Sequence, residues 1–420
     1  DRLGNRSTRM TDPLLAPPKK NPQQRSTSPT RPPEMRSRAA LGLTAAAAEG
    51  RLALQCCSEC TTWQYPPRDA CVACLSNDLP WVDFPPQGQL LAETTVQTSP
   101  RLYYRERVPW RIGTVKTDAG PMIIVHIHPD VTPQSAIHLT AHLDRAGQGV
   151  LVAMPPQETP NAMDAPLMRE LTADPKHRRV LLTDARAENA PAMAKALKDA
   201  GAAIIFIGES ESWRPYTARA ALQEIGVEFM PLDVTDTLSV QTLAGEIGGK
   251  TDILINNAQF VRPGGALARG DVGFAQNEMD VNYFGMMRLA QAFGPGMCKR
   301  TADEANSAVA WVNLLHIGAL ANTPEYGAFA ASQSAAHSLS QSLRSEFRTA
   351  GLRVMNVFSG PTESDWFASL PPPKVLPQSL ARDVIKGLQA GVEDVWSGDI
   401  AKDVRDRFRR DPKVLERELT

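Results

Sequence analysis

Two cysteine pairs, Cys57-Ser-Glu-Cys60 and Cys71-Val-Ala-Cys74, stand ten residues apart and constrain this chain more than any other feature. Each pair can turn two sulfurs toward one metal from a tight knuckle, and two knuckles complete a tetrahedron. Four thiolates in that geometry suit Zn²⁺, with iron as the alternative. No open ligand position is evident, so the site reads as structural, holding together a loop-rich segment with too little apolar surface to fold alone. The bland alternative is a metal-free relic with reduced thiols. Cys56 reads as a bystander thiol, and Cys298 as a buried one.

The rest of the composition sets limits. The 420 residues are enough for two or three domains, each with its own core. A net charge of −1 argues against a nucleic-acid binder, which normally carries a basic excess. No apolar run is long enough to span a membrane and no signal-peptide pattern opens the chain, so no membrane partner is expected. Six cysteines without a secretion signal read as reduced thiols or metal ligands, which favours the cytoplasm.

Residues 1–37 are rich in Pro, Ser and Arg, with eight Lys/Arg against three Asp/Glu, and are expected to be disordered or to dock on a partner surface. Met10 is the candidate natural start, with the residues before it belonging to upstream sequence. An alanine-rich helix from Arg38, ended at Gly50, precedes the cysteines within a 38–86 segment. Residues 87–155 alternate apolar and polar in short runs such as Gln89–Val96, Trp110–Thr117 and Met122–His128, which predicts a small antiparallel barrel. Residues 156–177 read as a linker with a short helix at Ala165–Leu171. From Val180, strands alternate with amphipathic helices, the pattern of a doubly wound parallel sheet. After 370, residues 371–420 read as a C-terminal helical extension that carries the charged stretch Arg405–Arg410.

The cysteine segment resembles a known family. Cys57-x-x-Cys60, followed by Tyr65-Pro66-Pro67-Arg68-x-x-Cys71-x-x-Cys74, is similar to the zinc-ribbon/OB-fold family associated with acyl-CoA metabolism. The preceding Glu49–Gln55 and the later Val108-Pro109-Trp110-Arg111-Ile112-Gly113 resemble it too, over residues 38–155. The resemblance implies a rubredoxin-like zinc ribbon and an OB-type barrel that partner a thiolase-like enzyme and help to line its acyl-CoA channel. Thr61 and Leu75 stand where that family usually has glycine, which implies mildly strained knuckles. Tyr103, Tyr104 and Trp110 lie near Arg101, Arg105, Arg107 and Arg111. That group could touch a coenzyme A, stack on single-stranded nucleic acid, or simply pack the barrel.

Residues 178–370 resemble the short-chain dehydrogenases/reductases. The resemblance rests on Val180-Leu181-Leu182-Thr183, Asp252–Ala258, Asp280-Val281-Asn282-Tyr283-Phe284-Gly285, and Gly351–Val357 followed by Ser359-Gly360-Pro361. The family holds its dinucleotide with a threonine followed by three glycines. Here Thr183 is followed by Asp184, Glu188 and Ala190 at the glycine positions. A carboxylate ~5 Å from a phosphate charge costs about 3 kcal/mol at an effective dielectric near 20, so NAD(P) is not an expected cofactor. Counting from Asn313, the family's serine falls at His316, its tyrosine at Phe329 and its lysine at Gln333; Asn282 keeps the proton-relay position. The resemblance therefore implies a degenerate dehydrogenase. It also implies pairing with itself or an active homologue through helices carrying Met286, Met287, Leu289 and Phe293, and Leu339, Leu343 and Phe347.

These readings combine into one expectation: a multidomain, non-catalytic accessory subunit of a thiolase-like acyl-CoA complex, with structural zinc and acyl-CoA as a ligand candidate. A divergent NAD(P)-dependent oxidoreductase using His316 or Tyr326 is the alternative, and a single-strand-binding protein the second alternative.

Overall fold

The computed structural model describes residues 10–18, 28–34, 37–303 and 307–419. The chain divides into two compact units, one built mainly of residues 30–173 and the other mainly of residues 174–388 with 393 onward.

In the first unit, Ser37 caps a short 3-10 turn that leads into helix α1 (Leu41–Ala48), and Gly50 ends the helix at φ +73°. A three-stranded sheet follows, β1 (Ala53–Cys56), β2 (Trp63–Gln64) and β3 (Trp81–Asp83), with β1 in the middle. A closed five-stranded barrel comes next: β4 (Gln87–Val96), β5 (Trp110–Thr117), β6 (Met122–Ile127), β7 (Ala136–Leu143) and β8 (Gly149–Met154), in the order β4-β5-β6-β8-β7. The barrel is not purely antiparallel as expected, because β6 and β8 pair in parallel. Alternate residues Leu90, Val115, Ile123, Val125, Ile137, Leu139 and Leu151 fill its interior. At the β4 bulge between Leu90 and Ala92 the chain presses on Gly113, where an added Cβ would lie 2.6 Å from the Ala92 carbonyl oxygen.

Helix α2 (Leu102–Arg105) lies between β4 and β5. The expected linker is folded: helix α3 (Pro166–Leu171) buries Leu167, Met168 and Leu171 with Val150 and Val152 of β8. The described parts of the N-terminal segment also correct the expectation of a disordered tail. Thr11 donates to Asp130 at 2.6 Å, the Leu14 N–H donates to Asp164 at 3.0 Å, and Thr30 donates to Glu106 at 2.6 Å. Thr11, Leu14 and Thr30 thus bond to residues of the barrel unit, while residues 1–9, 19–27 and 35–36 lie outside the described residues.

The second unit is a seven-stranded, wholly parallel sheet. Its strands are β9 (Arg179–Leu182), β10 (Ile204–Glu209), β11 (Glu228–Pro231), β12 (Ile253–Asn256), β13 (Ala310–His316), β14 (Arg353–Ser359) and β15 (Asp394–Ser397). The order β11-β10-β9-β12-β13-β14-β15 is that of a doubly wound dinucleotide fold with one added strand. Its helices are α4 (Ala190–Asp199), α5 (Ala218–Ile225), α6 (Thr237–Ile247), α7 (Gly273–Met279), α8 (Met286–Lys299), α9 (Gly327–Arg348), α10 (Pro377–Ala390), α11 (Asp399–Arg410) and α12 (Pro412–Glu418). The expected helical extension after residue 370 is therefore part of this domain: β15 pairs with β14, and Ala401, Val404 and Leu415 join the core. Residues 371–420 read as an appendage because four-residue β15 is too short to announce itself by periodicity.

Both sheet faces are covered, so successive residues such as Val180, Leu181 and Leu182 are all buried. Of the seven residues named for pairing, Met286, Leu289, Phe293, Leu343 and Phe347 pack in this core beside Trp311. Met287 and Leu339 are half-buried. No helix among the described residues is long and apolar enough to cross a membrane.

Candidate functional site

The sulfurs of Cys57, Cys60, Cys71 and Cys74 all lie within 4.8 Å of one another, with Cys57 to Cys74 and Cys60 to Cys71 each at 3.5 Å. A Zn–S bond of ~2.3 Å in a tetrahedron sets sulfurs ~3.8 Å apart, so the cage fits one metal. Each knuckle closes with an N–H returning to its first cysteine: Thr61 to the Cys57 carbonyl at 2.9 Å and Leu75 to the Cys71 carbonyl at 3.0 Å. That turn needs a left-handed residue, and Thr61 (φ +58°) and Leu75 (φ +63°) supply it where glycine would be unstrained.

Sequence reasoning missed what joins the knuckles. Gln55 and Gln64 face each other across β1 and β2, and the Gln64 amide donates to Gln55 at 3.0 Å. Gln55 also accepts from the Arg68 N–H at 2.9 Å, while Gln64 accepts from the Val72 N–H at 3.1 Å. The only signal was a pair of polar residues in an otherwise apolar strand setting. Cys56 stays outside the cage, its thiol against the Thr61 carbonyl at 3.6 Å. Cys298, read as a buried thiol, is half-buried, and desolvation raises its pKa to about 11.

The barrel's aromatic and arginine group is largely engaged within the protein. Tyr103 is buried and donates to Glu170 at 3.0 Å, while Arg107 covers its ring at 4.0 Å and pairs with Glu170 at 3.2 Å. Arg111 reaches Glu93 and the carbonyls of His128, Pro129 and Val131. Trp110 donates its indole N–H to His126 at 2.8 Å and meets Tyr104 edge-on. These contacts favour barrel packing over a ligand platform.

In the second unit, a cleft of about 500 Å³ lies where the loops following the parallel strands converge. The β9–α4 loop lines it with Asp184, Arg186 and Glu188. Asn257 still braces that loop, accepting from the Asp184 N–H at 2.9 Å and donating to the Asp184 carbonyl at 2.8 Å. Asp184 then turns its carboxylate back onto its own loop, accepting the Arg186 N–H at 2.8 Å and also a bond from the Ala187 N–H. Backbone N–H groups of this kind would otherwise face a cofactor phosphate. Burial raises the Asp184 pKa to about 6, and burial followed by Asp365 raises that of Glu188. Glu209, at the end of β10 where an acid commonly reads a ribose, accepts instead from Tyr216 at 2.8 Å and Arg219 at 2.9 Å.

The residues expected at the acid–base positions are buried. Phe329 is fully buried and packs with Val261, Tyr326 and Phe367. Gln333, also buried, accepts the His316 backbone N–H at 2.9 Å. His316 lies flat on Phe367, with ring centroids 5.2 Å apart, and its Nδ1 accepts the Gly318 N–H at 2.9 Å. The ring proton therefore belongs on Nε2, which is buried without a partner. Desolvation lowers the His316 pKa to about 4, so it is neutral near pH 7. Tyr326 donates its hydroxyl to the Trp366 carbonyl at 2.8 Å. Asn282 sits in a π-helical turn, Asp280–Gly285, and clamps Phe260 by both its N–H and its carbonyl at 2.9 Å, while also donating to Ser332 at 2.8 Å.

Comparison with known proteins agrees with this architecture. Three family models match in chain order: "ChsH2, rubredoxin-like zinc ribbon domain" over 44–80, "ChsH2, C-terminal OB-fold domain" over 81–140, and "Enoyl-(Acyl carrier protein) reductase" over 190–396. The last begins after the Asp184–Glu188 loop and runs through most of β15. An uncharacterized oxidoreductase of Mycobacterium tuberculosis is 30% identical over 195 residues, 44% of this chain and 55% of that protein. A fatty acyl-CoA reductase of Acinetobacter baylyi is 26% identical over 188 residues, 44% of this chain and 62% of that protein. The chain spans a little over half the length of these curated relatives. A solved short-chain dehydrogenase from Burkholderia cenocepacia in complex with NADP is 26% identical, with a TM-score of 0.51, covering 58% of this chain and 97% of that one.

Proposed function

We propose that this chain, in which ChsH2-type zinc-ribbon and OB-fold domains are fused to a short-chain-dehydrogenase-like domain, is a non-catalytic accessory subunit of a thiolase-like acyl-CoA-processing complex. The observation that carries the reading is the burial of Phe329 and Gln333 where the family's tyrosine and lysine would move a proton. Phenylalanine offers no acid, and Gln333 is already bonded to the His316 backbone. Neither His316, neutral at pH 7, nor Tyr326, tied to a carbonyl, supplies the missing group. The self-bonded Asp184 loop and the carboxylate of Glu188 oppose the phosphates of a dinucleotide. A metal in the four-cysteine cage would stiffen the ribbon for docking, and the acyl-CoA association rests on the resemblance of the Cys57–Cys74 segment to the acyl-CoA-associated zinc-ribbon/OB-fold family.

A divergent oxidoreductase is the second reading, favoured by the persistence of a 500 Å³ cleft and by the oxidoreductase relatives. An assay separates the two. The purified protein, given NADPH with a 3-oxoacyl-CoA or NAD⁺ with a 3-hydroxyacyl-CoA, is expected to show no turnover, and a thiolase-like enzyme is expected to co-elute with it. Turnover that His316→Ala or Tyr326→Phe abolishes would overturn the accessory reading.

A further inference from the structure

Among the described residues that line the cleft, Arg262 has a guanidinium engaged in no ion pair. Of the three arginines that line it, Arg186 donates to the carbonyls of Ser210, Glu211 and Arg214, and Arg214 pairs with Glu211 at 3.5 Å. Among the described residues the Arg262 guanidinium makes one hydrogen bond, to the Val261 carbonyl at 3.1 Å, and no ion pair. Its guanidinium lies 3.7 Å from the Trp366 ring centroid and 4.6 Å from that of Phe260. Such stacking holds an arginine flat and leaves its remaining N–H groups on the rim of the planar fork.

The loop beneath is fixed. Glu278, fully buried, accepts the Arg262 backbone N–H at 3.0 Å and pairs with Arg269 at 3.1 Å. Asn282 clamps Phe260. A second polar group in the cleft wall is unanswered: the Ser364 hydroxyl is buried with no hydrogen-bond partner. A buried orphan hydroxyl costs free energy unless a ligand or water bonds it.

We infer that the Arg262 end of the cleft is a binding site for a carboxylate on a compact apolar body, an aryl or medium-chain acid. Arginine's fork matches a carboxylate in two parallel bonds. Val261, Leu314, Phe367 and Leu380 supply apolar wall, and a volume near 500 Å³ suits a small molecule. A phosphate-rich ligand is disfavoured because Asp184 and Glu188 line the same cleft. The inference rests on the reading that no dinucleotide occupies this space, and it gives the former relay residue Asn282 a positioning role.

Calorimetric titration of the zinc-loaded, full chain with benzoate and with hexanoate tests it, with benzyl alcohol and hexanol as uncharged controls. The acids are expected to bind and the alcohols not. Arg262→Gln should weaken binding by about 10-fold or more, Arg262→Lys by less, and Ser364→Ala by a smaller factor. Absence of acid binding, equal binding of the alcohols, or unchanged affinity in Arg262→Gln would overturn the site while leaving the accessory reading intact. NADPH-dependent turnover, read on a separate sample, would overturn the accessory reading instead.

Discussion

The knuckles and the β9–α4 loop both carry side chains where glycine was expected from the family resemblances, and their backbones differ. At the knuckles, Thr61 and Leu75 accept φ of +58° and +63°, and four sulfurs stay gathered within 4.8 Å. In the β9–α4 loop, no residue from Asp184 to Ala190 adopts a left-handed backbone. There the Asp184 carboxylate accepts the Arg186 N–H instead. A left-handed L-residue costs about 1–2 kcal/mol, a strain that persists only where surrounding bonds over-determine it. Metal coordination is such a constraint. The β9–α4 loop holds no left-handed residue from Asp184 to Ala190 and so stores no such strain.

Breaking the cage should have the largest effect. Cys71→Ser is expected to remove bound zinc, about one equivalent by elemental analysis, and to cost the ribbon its cooperative unfolding, since metal binding there is folding free energy. A variant that keeps both would show that the strained knuckles stand without metal.

The second test concerns the closed acid–base site. Folded His316 takes a proton only near pH 4, whereas the unfolded residue does so near 6.5. Its stabilising contribution is complete above 6.5 and is lost as the pH falls toward 4. Between pH 7.5 and 5 the loss is about 2 kcal/mol. Asp184 acts the other way, its pKa raised from 3.8 to about 6, so its contribution is largest below 3.8 and is lost as the pH rises through 6. His316→Leu should therefore lessen the acid-side fall in Tm measured at pH 7.5 and 5. An unchanged fall would mean that the histidine is solvated.

Restoring the loop sharpens the comparison further. Asp184→Gly with Glu188→Gly and Ala190→Gly should tighten NADPH binding by about 10-fold or more, by freeing the N–H groups and removing two charges. Turnover should stay absent, because Phe329 and Gln333 remain. The smallest effect is expected from Leu75→Gly, which relieves the left-handed strain and raises stability by about 1 kcal/mol, less the added chain entropy of glycine. A destabilised Leu75→Gly protein would show that the knuckle had relaxed around its side chain.

Much of this was legible in the sequence because motif spacing carries it. The CxxC pairs gave the cage, and counting from Asn313 and Thr183 placed His316, Phe329, Gln333, Asp184 and Glu188. Other features left no spacing to count. The four-residue strand β15 is too short to show a period. The helical stripe of Met286, Leu289 and Phe293 looks the same whether it faces a partner or its own sheet. The Gln55–Gln64 pair, and Arg262 between Phe260 and Trp366, depend on residues that only the fold brings together.

The most direct test of the central claim is a titration of the zinc-loaded protein with NADH and NADPH, followed by cofactor fluorescence. No binding up to millimolar cofactor is the result that the proposed accessory role predicts. Micromolar binding would contradict it and would return His316 and Tyr326 to consideration as acids.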